Sequence, residues 1–209
     1  MNAPEKTRVP RGEARQRILN AAMDLIRRQG FSATSVDDLC AAAGVTKGAF
    51  FHHFASKEAL GVAVVDHWTE TTGAMFAAHE YNRKPNPLDR VFAYLDLRRA
   101  LLDMPLPEFS CVAGTTVQET YQTHPAIRLA AEASVRSGAA HVEAHLAAAL
   151  AADPVPGVTA ESLAMQFQVA VQGGIVVAKA LNDPQAARAA IDHLERYLRL
   201  LFNQPVALR

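Results

Sequence analysis

Residues 34–60 read TSVDDLCAAAGVTKGAFFHHFASKEAL, and this stretch decides the fold. Thr34 or Ser35 can cap a helix whose positive end is complemented by Asp37 and Asp38. Val36, Leu39, Cys40 and Ala43 then recur at helical spacing as an apolar stripe. Gly44 breaks that stripe, Val45 points inward across the turn, and Thr46 has the hydroxyl and the position of a second N-cap. It opens a helix over Lys47 to Phe54. Two short helices joined by about three residues form a helix-turn-helix.

The flanks continue the pattern. Upstream, a helix from about Glu13 to Gln29 places Ile18, Ala21, Ala22 and Leu25 on one face and stops at Gly30; its other face carries Arg11, Arg15, Arg27 and Arg28. Downstream, Ser56 caps a fourth helix with Glu58 at its positive end and Leu60, Val64 and Trp68 facing inward. NRKPNP at 82–87 is a loop, with Asn86 and Pro87 suited to start a helix carrying Val91, Phe92, Leu95 and Leu102. Met104 to Phe109 holds two prolines and is a second break. Three further helices are predicted: Pro125 to about Ala152, Thr159 to Leu181, and Gln185 to Phe202, with DPVPG at 153–157 the clearest loop. With no convincing period-two stretch, the predicted fold class is all-α.

Composition sets outer limits. The 209 residues are half hydrophobic, with 21 Lys+Arg against 21 Asp+Glu. That excludes collagen-like, mucin-like and wholly disordered chains. The zero net charge conceals a split: residues 1–60 hold nine Lys/Arg against six Asp/Glu, while 61–209 hold twelve against fifteen. A basic first quarter on an acidic remainder suits one part that faces a polyanion and one that does not. The longest uncharged apolar run, Phe167 to Ala178, ends at Lys179, short of the roughly 18 residues of a membrane span. Met1 to Gly12 lacks the apolar core of a secretory signal. The expectation is a soluble cytoplasmic protein without a membrane partner. Two cysteines, Cys40 and Cys111, exclude a disulfide scaffold and a four-thiolate zinc site, and no cofactor is expected.

The stretch 34–60 resembles the DNA-binding signature of TetR-family transcriptional regulators, specifically over residues 13–60 and more loosely to the end of the chain. The resemblance implies a three-helix DNA-binding domain over residues 1–60 and, over 61–209, a helical domain that dimerises and holds an effector pocket. It implies a homodimer on a palindromic double-stranded DNA operator, a repressor released by a small molecule, and no enzymatic step.

The candidate DNA-binding residues are Ser35, Thr46, Lys47, Gly48, Ala49, Phe51, His52, His53 and Lys57. In a major groove Thr46 and Lys47 can meet phosphate or base edges, Gly48 permits close approach, and Ala49 can touch a thymine methyl. Phe50 and Phe54 should face the inner core. By the resemblance, His53 and Lys57 contact phosphate, and Phe51 stands where a tyrosine is usual, which removes one hydroxyl.

The effector-sensing candidates are Cys111, Lys179, Gln118, Gln172, Trp68, Phe92 and Tyr121. Cys111 in SCVAGTTVQET and Lys179 after QGGIVVA resemble a subgroup of TetR-like repressors in which a Cys before a short helix senses electrophiles or oxidants. Lys179 could be the cation that favours the thiolate. The other reading is a buried, inert Cys111, a snorkelling Lys179 and non-covalent sensing of a small hydrophobic ligand. Met75, Phe76, Tyr94 and Phe109 join the aromatic and methionine set that could line a cavity, with Gln118 and Gln172 as orienting groups.

For the dimer, the candidate face is Leu163, Phe167, Ala170, Val171, Gly174 and Ile175 with Ile191, Leu194, Leu198 and Leu201. The same spacing equally fits an intramolecular helix pair. Gly173 and Gly174 each cost a helix about 1 kcal/mol relative to Ala, so something should pack close there. His141 and His145, four apart, could serve a metal-dependent all-α enzyme. A third ligand is not evident and the HExxH pattern is absent, so no metal site is expected.

Overall fold

The computed structural model describes residues 11–206. The basic leader, residues 1–10, on which the absence of a secretory signal was read, lies outside the described residues, as do 207–209 and the side chain of Arg11.

Among the described residues ten α-helices follow one another: α1 (Arg11–Gln29), α2 (Val36–Ala43), α3 (Lys47–His53), α4 (Lys57–Ala78), α5 (Pro87–Leu101), α6 (Leu106–Phe109), α7 (Val112–Thr120), α8 (Pro125–Ala152), α9 (Ala160–Leu181) and α10 (Gln185–Leu201). A 3₁₀ turn, Glu80–Arg83, joins α4 to the loop before α5, and no strand occurs among the described residues. Each predicted cap is made. Ser35 Oγ accepts from Asp38 N, Thr46 Oγ1 from Ala49 N, Ser56 Oγ from Ala59 N, and Asn86 Oδ1 from Leu88 N. Each such cap stabilises its helix by about 1 kcal/mol. Gly30 and Gly44 take the positive φ expected of helix stops, 91° and 63°.

Two apolar clusters organise the chain. The first gathers Ile18, Leu19, Ala22 and Ile26 of α1, Leu39, Cys40 and Ala43 of α2, Phe50 and Phe54 around α3, and Leu60, Val64 and Val65 of α4. It also takes in Val112 and Ala113 of α7 and Ile127 and Ala131 of α8, so the helix-turn-helix unit is seated on the rest of the molecule. The α1 stripe is centred one residue later than expected: Leu19 and Ile26 are buried, whereas Ala21 and Leu25 are only partly so. The second cluster joins α5, α8, α9 and α10 through Tyr94, Leu95, Val142, Leu146, Phe167, Ile191, Leu194 and Leu198. Helix α4 carries Leu60 in the first cluster and Phe76 in the second.

The break at 104–109 is not uniformly irregular. Pro105 precedes the single turn α6, and Cys111 then caps α7 through its sulfur, which accepts from Gly114 N at 3.3 Å. By length and composition α9 is apolar enough to cross a membrane, a property that the core helix of a soluble protein shares. One long face of it is nevertheless spent on packing within the chain, with Leu163, Ala164, Phe167, Gly174, Ile175 and Ala178 buried.

That packing corrects the expected dimer face. Leu163, Phe167 and Ile175 with Ile191, Leu194 and Leu198 are buried inside the second cluster, which α9 and α10 share with α5 and α8. A Cβ on Gly174 would come within 3.0 Å of Ala190 Cβ and 3.2 Å of Ala187 Cα, so the close approach foreseen there is between these two helices. Gly173 faces the other way into open space. The exposed apolar residues of the pair are Val169, Val176, Val177 and Leu181 on α9 and Tyr197 and Leu200 on α10.

Candidate nucleic-acid interface and effector cavity

Helix α3 is held by its inner side and presents its outer one. Phe50 is fully buried with its ring 5.7 Å from that of Phe54 and tilted against it, while Phe51, the next residue, is 54% exposed. Thr46, Lys47, Gly48 and His52 are exposed, and Ala49 and His53 are partly so. The Thr46 hydroxyl is engaged as the cap, and Lys47 Nζ lies 2.7 Å from Asp37 Oδ1. Both partners of that ion pair are well exposed, so it is a weak tether that a phosphate can displace. Burial and the neighbouring His52 and Arg15 hold His53 below the ordinary histidine value, which favours the neutral ring. A neutral imidazole can still donate one N–H. Ser35 is committed to its capping box with Asp38.

Lys57 is placed differently from the other basic candidates. Its Nζ donates to Ser32 O at 3.1 Å and lies 4.6 Å from the centre of the Phe31 ring. Burial lowers its pKa, against the pull of Glu119. Glu119, on α7, in turn accepts from Phe31 N at 3.1 Å and Ser32 N at 2.7 Å. Lys57 and Glu119 thus bracket the turn after α1 and fasten it to the second half of the chain.

Between α4, α5, α8 and α9 lies a cavity of about 270 Å³, lined by Trp68, Met75, Phe76, Phe109, Cys111, Gln172 and Ile175 among others. Its apolar wall is interrupted by Arg98, His141 and Gln168, and at one end by Arg27 and Glu108. Arg27 Nη1 donates to Glu108 O at 2.6 Å, and its guanidinium carbon lies 5.7 Å from the Trp68 ring, so α1 itself reaches the cavity. Burial, with Arg98 second, keeps His141 below the ordinary histidine value. Beside Cys111, Thr115 accepts from Lys179 Nζ at 3.1 Å. Burial lowers the Lys179 pKa, and the Cys111 sulfur and Glu119 oppose that. Buried Cys40, by contrast, has its thiol pushed up by desolvation and belongs to the first core.

Sequence patterns agree with this architecture. The pattern described as "Bacterial regulatory proteins, tetR family" matches residues 18–64, and that described as "Tetracyclin repressor-like, C-terminal domain" matches residues 87–194. The chain belongs to the TetR family. Among curated relatives, it is 46% identical over 55 residues to the HTH-type transcriptional regulator AcrR of Shigella flexneri, covering 26% of each chain. The chain spans only between 19% and 26% of the length of the first curated relatives it matches. In three dimensions it is similar to a TetR-family regulator from Agrobacterium tumefaciens, with a TM-score of 0.78 and 25% identity over 90% of this chain and 98% of that one. It is also similar to reduced NemR from E. coli, with a TM-score of 0.72 and 22% identity over 88% and 96%. That second likeness speaks to fold alone.

In this TetR-family chain the effector candidates divide. Trp68, Cys111 and Gln172 line the cavity, as do Met75, Phe76 and Phe109. Lys179 stands behind Cys111 through Thr115. Gln118 is exposed and turned back onto Gly114 O, Tyr121 is 55% exposed, and Phe92 lies under Arg199, 4.2 Å from its guanidinium carbon. These three are outside the cavity wall: α7 and the turn after it, which carry Gln118 and Tyr121, do not line it, and Phe92 faces Arg199 of α10. His141 and His145 have separate partners: His141 faces the cavity, and His145 Nε2 meets Asn82 Oδ1 at 3.0 Å. Among the described residues no three His, Cys, Asp or Glu side chains converge as a metal site would need.

Sequence reasoning missed Arg98, Gln168 and the inward end of Arg27. Gln168 carried a signal, since it recurs four residues before Gln172 on the same stripe as Phe167 and Ile175. Nothing in the sequence distinguishes Arg98 from Arg99.

Proposed function

We propose that the protein is a homodimeric DNA-binding transcriptional regulator, a cytoplasmic repressor that a small molecule releases from a palindromic operator. The observation that carries this reading is the outward row on α3, Thr46 to Ala49 with Phe51, His52 and His53, on a helix anchored from behind by Phe50. Such a helix can enter a major groove with its N-terminal residues toward the bases. Lys47 leaves Asp37 for a phosphate, Gly48 leaves room for the duplex, and Phe51 supplies apolar contact without a hydroxyl. Lys57 acts indirectly by holding the turn after α1, and Ser35 by capping α2. Residues 1–60 supply the DNA-reading part and 61–209 the effector and pairing part.

The exposed stripe of Val169, Gly173, Val176, Val177 and Leu181, with Tyr197 and Leu200, is the surface for a second copy. Contiguous exposed apolar residues on two adjacent helices are rare on a lone protomer, and a two-fold axis makes one such patch self-complementary. The pair would set its two α3 helices about 34–36 Å apart, one turn of duplex. The small molecule occupies the cavity in the state whose α3 helices no longer match that spacing, and its differential affinity for that state sets the release. No catalytic step is required.

The test is an electrophoretic shift with duplex from the gene's own upstream region at stated salt. Binding is expected to weaken steeply with salt. Lys47→Ala should lower the log–log salt slope by about one unit; an unchanged slope removes Lys47 from the phosphate contacts.

A second reading is favoured by the company Cys111 keeps, namely the cavity on one side and Lys179 through Thr115 on the other. Here the thiolate adds to the β-carbon of an unsaturated carbonyl compound, and the displaced electron pair takes a proton at the α-carbon. Cys111→Ser protein that leaves DNA normally upon addition of such an electrophile overturns it.

A further inference from the structure

Two adjacent arginines on α5 have opposite surroundings. Arg99 is answered by three carboxylates: Asp96 at 2.7 Å, Asp192 at 3.0 Å and Glu195 at 2.6 Å. Arg98 faces the cavity and, among the described residues, has no carboxylate within ion-pairing distance. Its Nε and Nη2 donate to the Tyr94 hydroxyl at 2.9 and 2.7 Å, and its guanidinium carbon lies 4.3 Å from the centre of the Phe76 ring. A partly buried cation held by a neutral oxygen and an aromatic face still lacks its counter-charge.

A second polar side chain borders the same space. Gln168 is only 5% exposed, and its Nε2 has no hydrogen-bond partner. Its amide lies against Gly138, where a Cβ would come within 3.0 Å of Nε2. Gly138 and His141, one turn apart on α8, both line the cavity, and the His141 ring is 5.4 Å from that of Phe76. Arg98 over Phe76, Phe76 against His141, and Gln168 against Gly138 bring polar groups to a cavity otherwise lined by Trp68, Phe109 and Ile175. Arg27, by contrast, donates to the Glu108 backbone oxygen and feels the carboxylates of Asp24 and Glu108, which oppose the effect of burial on its pKa.

We propose that the ligand of this cavity is a small organic carboxylate. Its apolar body rests on Trp68, Phe109 and Ile175, and its oxygens accept from Arg98 and from the Gln168 amide. The inference rests on reading the cavity as the effector site, and it adds the chemical class. The volume of about 270 Å³ lies just below the range of about 300–1,000 Å³ occupied by drug-sized ligands, which suits a compact acid. A neutral ligand of the same shape would leave the guanidinium without an anion, and a planar carboxylate matches its donors.

The chain contains one tryptophan, Trp68, and it lines the cavity, so its fluorescence reports occupancy without DNA. The probes are 3-phenylpropanoate and 4-methylpentanoate, each paired with its primary amide. On the full chain the acids should bind about tenfold or more tighter than their amides, as expected for a charge-assisted hydrogen bond. Arg98→Gln should erase that preference, Arg98→Lys should keep part of it, and Gln168→Leu should weaken the acids. Equal binding of acid and amide by the unaltered protein overturns the proposal. So does a preference that survives Arg98→Gln, or the absence of any Trp68 response to all four probes. An electrophoretic shift with the same preparation separates the two claims. Failure to bind duplex defeats the regulator reading and leaves an acid preference standing, whereas duplex binding beside equal acid and amide affinities defeats only the carboxylate.

Discussion

The α2–α3 unit and the cavity are built by different means. In the first, polar groups are satisfied within three or four residues: Ser35 with Asp38, Thr46 with Ala49, and Gly44 closing α2 onto Cys40 and Ala41. At and around the second, contacts reach across the chain: Arg27 to Glu108 at the cavity itself, Lys179 to Thr115 behind Cys111, and Glu119 to Phe31 and Ser32 at the seam with the first half. It also keeps a buried amide nitrogen without a partner. Local closure makes a unit whose internal shape is set by its own residues, although its core is seated on α7 and α8. Cross-chain closure with vacancies makes a region whose arrangement a ligand can change.

The sharpest way to break the contrast is to remove the anchor of the rigid unit. Phe50→Ala should cost about 3–5 kcal/mol of stability by urea denaturation and abolish duplex binding. A loss under 1 kcal/mol would mean that α3 is held by its caps and not by its core. Glu119→Gln addresses the seam between the two regions. Loss of the charged acceptor should cost about 1 kcal/mol after allowance for its exposure. It should also speed amide exchange at Phe31 and Ser32, and exchange unchanged at both would refute that fastening.

Thr46→Ala should also cost about 1 kcal/mol, confined to fraying of α3. A change in Trp68 fluorescence in that variant would contradict the independence claimed for the unit. Acidification acts on the cavity side. His141 sits below the ordinary histidine value in the folded protein, so below about pH 6.5 the unfolded chain binds more protons and stability falls. The contribution is complete above that pH and lost beneath it. His141→Gln should flatten the decline measured between pH 7.5 and 5.5, and an equal decline in both proteins would assign it elsewhere.

The same contrast explains what was legible in the sequence. Caps, glycine stops and stripes are local, so α2, α3 and the start of α4 are legible almost to the residue, as are Phe50 inward and Phe51 outward, whereas the end of α4 at Ala78 carries no such signal. A cavity wall depends on the rotation of several long helices about their own axes. Phe92, Gln118 and Tyr121 were therefore expected in it and lie outside, while Arg98 and Gln168 were overlooked. The α9–α10 stripe is expected to face a second copy and instead packs within the chain, because periodicity marks an apolar face without naming its partner. Lys57 was read by motif position, and its ammonium is spent on Ser32 O, 25 residues away in sequence, which no local pattern records.

Helix α3 has only seven residues. At 1.5 Å per residue it is about 10 Å long, enough to span about three base-pair steps of 3.4 Å. Three positions with four alternatives each distinguish about 64 words, far too few to single out an address among the 10⁶ or more sites of a genome. A rod this short must therefore be used in duplicate, or borrow discrimination from the bendability of the duplex, and its vocabulary grows by squaring when two are read together.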